Sequence, residues 1–232
     1  MRNEAETHEM EALARPRTRR EIMKLAALGF GAAAAGTGLF PRKASAQATG
    51  VVEDLEILNF ALTNEIFESE VFYPAALQAG ILSGAAYDVI AQIQEIEVVH
   101  ASVLREAIVG LGGTPVAAPQ FMVPEEILVS QQAFLEAALV QEQKDVGANL
   151  GLGPMIQSPD ILAVAGALNG AEAENVTAIK NLLGVVPPAN EPFPAALTRD
   201  EVLAILAPYM GMGSMMETGG EKPAGGGTDK AY

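Results

Sequence analysis

Between Val52 and Gly184, apolar residues recur at helical spacing in four long stretches, and each stretch sets a glutamate within its apolar face. Residues three and four apart share one face of a helix. On the first stretch Glu65 follows Leu58 and Leu62 and precedes Phe72, with Glu68 one turn on. On the second, Glu97 follows Ile90 and Ile93, and the face continues through His100 to Leu104. Glu142 follows Leu135 and Leu139 and precedes Val146 on the third, while Glu172 lies between Leu168 and Val176 on the fourth. A buried, unpaired carboxylate costs several kcal/mol, so four that converge require cations between them or protons on them. Glu97 and His100, an i, i+3 pair, are able to point at one atom.

The stretches are delimited by ordinary helix signals. The first covers about 52–78, with Pro74 a kink or early stop near its end. The second is expected to start after Ser83 as N-cap and to end at Gly112 and Gly113. The third is expected to open at Pro124, Glu125 and Glu126 and to fade at Gly151, and the fourth to run from Ser158 to Gly184. Rods of about 25 residues, ~38 Å long, joined by short Gly- and Pro-rich connections, imply one all-α domain, an antiparallel four-helix bundle. Thr198 and Glu201 form a capping-box pattern that opens a short extra helix reaching about Tyr209. Residues 211–232 are Gly-rich and aperiodic, a tail expected to be disordered.

Residues 1–46 read as an address. Arg19 and Arg20 precede a modest apolar run from Leu25 to Phe40, then basic Arg42 and Lys43, then Ala44-Ser45-Ala46 before Gln47. That order is similar to a twin-arginine export signal with a small-x-small cleavage site. The run is shorter than the roughly 20 residues that span a bilayer, so no stable membrane insertion is expected after cleavage. The expected organisation is a signal over 1–46, the bundle with its short helix over 47–210 and the tail beyond. Localisation is then periplasmic or extracellular.

After residue 46 the chain has six basic against 24 acidic side chains, a net charge of −18. Such a surface repels phosphate backbones, so nucleic acid is excluded as a partner and metal cations are favoured. Cysteine is absent, leaving oxygen and imidazole as the ligands for any metal. With no thiol, one histidine after residue 46 and no Gly-x-Ser-x-Gly elbow, a hydrolase using a nucleophilic side chain is not expected.

Leu58 to Glu65 with Glu68, Glu70, Phe72 and Tyr73, then Glu97 to Arg105, then Glu142 through Asn149 to Pro154, then Glu172 through Asn175 to Gly184, together resemble the bacterial ferritin-like domain family that includes desiccation-related proteins. The resemblance covers about residues 52–184 and implies a ferritin-like four-helix bundle. In that superfamily two metals are held by single glutamates from two helices and by Glu-x-x-His from the other two. Carried over, Glu65 and Glu142 are the single acids, and Glu97 with His100 is one Glu-x-x-His. Glu172 begins the other, but Asn175 stands where histidine is expected, and Asn149 where the family often has tyrosine. The implied metal ligands are therefore Glu65, Glu97, His100, Glu142 and Glu172, with Glu68 and Asn175 as further candidates.

Three outcomes stay open at this point. The protein holds one metal; or Glu174 or Glu68 completes a second position; or the site has decayed and the bundle persists as a scaffold. The functional expectation is an exported metal-binding protein carrying Fe or Mn, with a redox or oxidative-stress role. The alternative is a non-catalytic envelope or stress-protection protein with a degenerate site. A homo-oligomer is compatible with either.

Overall fold

The computed structural model describes residues 44–211, with side chains from residue 50 onward. The expected signal, apart from its last three residues, and the expected tail, apart from Gly211, lie outside this range. The described chain is helical, with one isolated bridge between Phe121 and Met210. No described helix is long and apolar enough to cross a membrane.

Helix α1 spans Ala44–Phe67 and passes through a wide π turn, Glu68–Phe72, into α2, Tyr73–Ala79. The cause lies in the sequence: Pro74 has no N–H to return to the carbonyl four residues back. The preceding Tyr73 N–H reaches the Glu68 carbonyl, five residues back. Helix α3 spans Ala85–Gly110, α4 Gln131–Leu152, α5 Pro159–Leu182 and α6 Arg199–Leu206.

Two helix starts differ from expectation. Gly84, at φ +54°, is the N-cap residue of α3, and no side chain caps it. Ser83 instead turns outward, its N–H and hydroxyl donating to Gln131 Oε1 at 3.0 and 3.4 Å, which ties the start of α3 to the start of α4. Pro124 opens only a 3-10 turn, Glu125–Ile127; α4 begins later, where Ser130 Oγ accepts the Ala133 N–H. Ser130 offers an N-cap side chain and Pro124 does not. The starts at Ser158 and Thr198 are as expected, the latter a complete capping box. Asp54 of α1 adds a clamp on α5, its two carboxylate oxygens accepting the N–H groups of Gln157 and Ser158 at 2.7 and 2.9 Å.

The helix directions correct one further expectation. Glu97 meets Asn175 and His100 meets Glu172, so α3 and α5 are antiparallel. Glu68 meets Lys144 and Tyr73 meets Glu142, so α4 opposes the first helical stretch. Ser69 meets Gln94 while Asn59 accepts from Val116, just past α3, so α3 opposes it too. Consequently α3 and α4 run the same way, and residues 111–130 form a long crossover rather than a short turn. It travels beside α1, with Val116 at Asn59 and the Phe121 ring 5.0 Å from that of Phe67. Helix α6 closes over α4, where Leu197 donates to the Gly147 carbonyl at 2.8 Å. A Cβ at Gly151 would stand 1.9 Å from the Leu197 carbonyl oxygen, so this approach requires glycine.

Apolar burial comes in two blocks. One gathers Phe67, Phe72, Tyr73, Phe134 and Ile179 with Tyr209, and the other Leu58, Leu62, Leu104, Ile108 and Ile161. On every long helix the acids fall between the two blocks, or at the edge of one, so they share a layer inside the bundle.

Candidate metal centre

Glu65, Glu97, His100 and Glu172 come together in that layer, all of them buried. One ligand atom from each lies within 4.8 Å of the others. Glu97 Oε2 and Glu172 Oε1 are both 2.9 Å from His100 Nδ1, and Glu65 Oε2 is 3.5 Å from it. A ring nitrogen carries at most one hydrogen, so it serves one of the three carboxylates. Glu97 makes that hydrogen bond. Glu65 Oε2 and both Glu172 oxygens have no donor. Despite the 2.9 Å separation, the single N–H cannot be counted for Glu172 as well.

Burial and mutual repulsion show in the acid–base behaviour. Burial, then the Glu172 charge, hold Glu97 well above the usual carboxylate range, with the His100 bond opposing. Burial alone would lower the His100 pKa, but Glu172, Glu65 and Glu97 outweigh it and hold the imidazole well above its ordinary value. Both shifts favour the protonated forms, which lowers the repulsion among the acids. With metal, the Nδ1 lone pair and the donorless oxygens around it form a ligand set of three carboxylates and one imidazole, which fits a divalent first-row ion.

The opposite side of the layer is arranged differently. Glu142 is buried beside the group but is not one of the four. The Tyr73 hydroxyl donates to Glu142 Oε1. Burial, then Glu172, then Glu68 hold Glu142 well above the usual range, which favours its protonated form. Asn175 is buried and donates its amide to Glu97 Oε1 at 2.9 Å. Glu68 Oε1 accepts from Lys144 Nζ at 3.2 Å, and Lys144 also meets Gln141 Oε1 at 3.1 Å and Asp145 Oδ1 at 3.4 Å. Burial pulls the Lys144 ammonium toward neutrality, but Asp145 and Glu68 more than offset it and raise its pKa. Burial, then Glu68, push Asp145 up, against the pull of Lys144.

Glu174 is exposed on α5, so it does not complete a second position, and Asn149 is half-buried farther along α4. Tyr73, Gln141, Lys144 and Asp145 carry no role in the sequence reading. One signal for three of them is the polar block Gln141 to Asp145, which interrupts the stripe of α4 for more than a turn. The π turn could not be read from spacing, and it is what leads from Glu65 and Glu68 to an inward-facing Tyr73.

Long helices that turn carboxylates and a Glu-x-x-His toward a shared buried layer define the class of carboxylate-rich helical bundles, whose core acids are able to hold metal. The family model described as the ferritin-like domain matches residues 53–185, more than half of the chain, and the protein belongs to that family. No curated protein matches the chain.

Proposed function

We propose that the protein is exported by the twin-arginine route and holds Fe or Mn at Glu65, Glu97, His100 and Glu172, with Glu142 adjoining, in an oxidative-stress role outside the cytoplasm. The observation that carries this reading is the crowding of three buried carboxylates around one ring nitrogen that can satisfy only one of them. Oxygen and imidazole donors suit Fe(II) and Mn(II), and a bound ion of either kind supplies reversible one-electron exchange. The protein's own residues hold the ligands in place: Asn175 pins Glu97, and Tyr73 pins Glu142. The apolar blocks on either side limit the entry of water.

Metal analysis of the protein recovered from the export compartment is expected to find stoichiometric Fe or Mn. No binding after anaerobic loading with Fe(II) or Mn(II) overturns the reading. Replacing Arg19 and Arg20 by Lys is expected to retain the protein in the cytoplasm, as cell fractionation would show; unchanged export removes the proposed address. Asn175 in the expected histidine position favours a second reading, a non-catalytic stress-protection protein with a structural ion. The two separate on whether the metal-loaded protein is oxidised by oxygen or peroxide, followed by the metal's absorption spectrum.

A further inference from the structure

We propose that Lys144 supplies a permanent internal cation beside Glu68 in the acid layer, so that the protein takes one metal ion where ferritin-like bundles hold two. This rests on the reading that Glu65, Glu97, His100 and Glu172 bind an ion.

Lys144 lies on α4 two residues after Glu142, and its side chain is fully buried. An ammonium has three hydrogens. Here three oxygens surround it, those of Glu68, Gln141 and Asp145. Its single charge offsets one of the two acids it touches, and Glu68 is the acid that would otherwise be free to complete a second position.

Two further contacts on the Lys144 side are already made. Glu142 accepts the Tyr73 hydroxyl, and the Asn175 amide is spent on Glu97. A second divalent ion would have to displace these bonds and sit near a buried positive charge. Both sides hold oxygens without a donor, Glu65 Oε2 and the two of Glu172 on one, Glu68 Oε2, Glu142 Oε2 and Asp145 Oδ2 on the other, but only the second has a buried lysine among them. The two sides therefore differ in the cation one of them already holds, and a single ion exchanges one electron at a time rather than two across a pair.

The test is a Mn(II) titration of the metal-free exported protein, read by bound-metal analysis and electron paramagnetic resonance. The expected result is one ion per chain with the hyperfine pattern of an isolated ion. Asn175→His, with Lys144 in place, is expected to remain at one ion. Lys144→Met combined with Asn175→His is expected to take a second, with the broadened signal of a coupled pair. Two ions in the unaltered protein, a second ion in Asn175→His alone, or no second ion in the folded double variant overturns the role of Lys144 while leaving metal binding intact. No ion in the unaltered protein overturns both this inference and the metal-binding reading beneath it. If the double variant fails to fold, the unaltered protein and Asn175→His still decide the matter.

Discussion

Glu97 with His100 on α3 and Glu172 with Asn175 on α5 have the same spacing and face one another across antiparallel helices, yet their surroundings are organised in opposite ways. Around His100 the acids crowd one nitrogen and leave oxygens without donors. Around Asn175 each principal acid has a hydrogen-bond donor on one oxygen, Asn175 for Glu97, Tyr73 for Glu142 and Lys144 for Glu68, while the second oxygens of Glu142 and Glu68 have none. A fold can thus keep a symmetric carboxylate frame while one half is left open to an external cation and the other holds internal donors. A buried carboxylate must be neutralised by something, and the identity of the nearest nitrogen decides by what.

The harshest way to break the contrast is to remove that nitrogen. His100→Ala leaves Glu65, Glu97 and Glu172 facing one another with neither proton donor nor ligand. Loss of one partner from a buried charged pair costs about 3–5 kcal/mol. The metal-free variant is expected to lose stability on that scale in chemical denaturation and to bind Mn(II) at least ~100-fold more weakly. Full metal binding with only the stability loss would reassign His100 to packing.

A matched pair of substitutions sharpens the distinction between the halves. Glu172→Gln removes a carboxylate from the group of four and is expected to weaken Mn(II) binding by roughly 10–100-fold in calorimetric titration. In Glu142→Gln the amide imitates the protonated acid, its oxygen accepting from Tyr73 and its NH2 facing Glu172. Binding is expected to change less than ~10-fold, or under about 1.4 kcal/mol. Equal losses in the two variants would make Glu142 a ligand of the same rank.

Acid–base behaviour tests the contrast without altering a residue. Glu97, Glu142 and Asp145 have folded-state pKa values raised above those of the unfolded chain, and so does His100. A raised value means that the folded protein keeps protons the unfolded chain has released. For the acids, stability is full below their ordinary carboxylate values and is lost as pH rises through the folded ones. For His100 it is full below 6.5 and lost above that, as pH rises through its folded value. Metal-free protein is expected to melt at falling temperature between about pH 5 and 8, at about 1.4 kcal/mol per pH unit for each extra proton held. Metal affinity is expected to move oppositely, climbing with pH as the ion displaces those protons. Thermal melts of both forms across this range check the two slopes together.

The parts legible in the sequence were those governed by periodicity. Glu65, Glu97, His100 and Glu172 fall on helical faces with Leu58, Ile93, Leu104 and Leu168, and a residue on an apolar face is carried inward whatever its charge. The crossover was illegible because residues 111–130 have no period, while Pro124, Glu125 and Glu126 imitate a helix start. Lys144 was hidden for another reason: a lone lysine on a helix ordinarily extends to water, and only Glu68, from a different helix, reveals that it does not. Long-range pairing of polar groups leaves no spacing signature. Glu174 shows the converse, an acid one turn from nothing in the core, suggested by number and excluded by its exposure.

The smallest effect probes whether the two halves are energetically separate. Tyr73 is fully buried, and its hydroxyl bonds to Glu142 Oε1. Tyr73→Phe keeps the ring and its packing against Phe72 and Phe134 but leaves that oxygen without a donor. An unmet buried acceptor costs about 1–3 kcal/mol, so a loss of about 1–2 kcal/mol is expected in denaturant unfolding. Because Tyr73 acts on the side that has its own donors, Mn(II) affinity is expected to stay within about 3-fold of the unaltered protein, or roughly 0.6 kcal/mol. Should Tyr73→Phe weaken binding as severely as Glu172→Gln, the acids of the layer respond as one unit. The division between a metal-seeking half and a self-neutralised half would then fail.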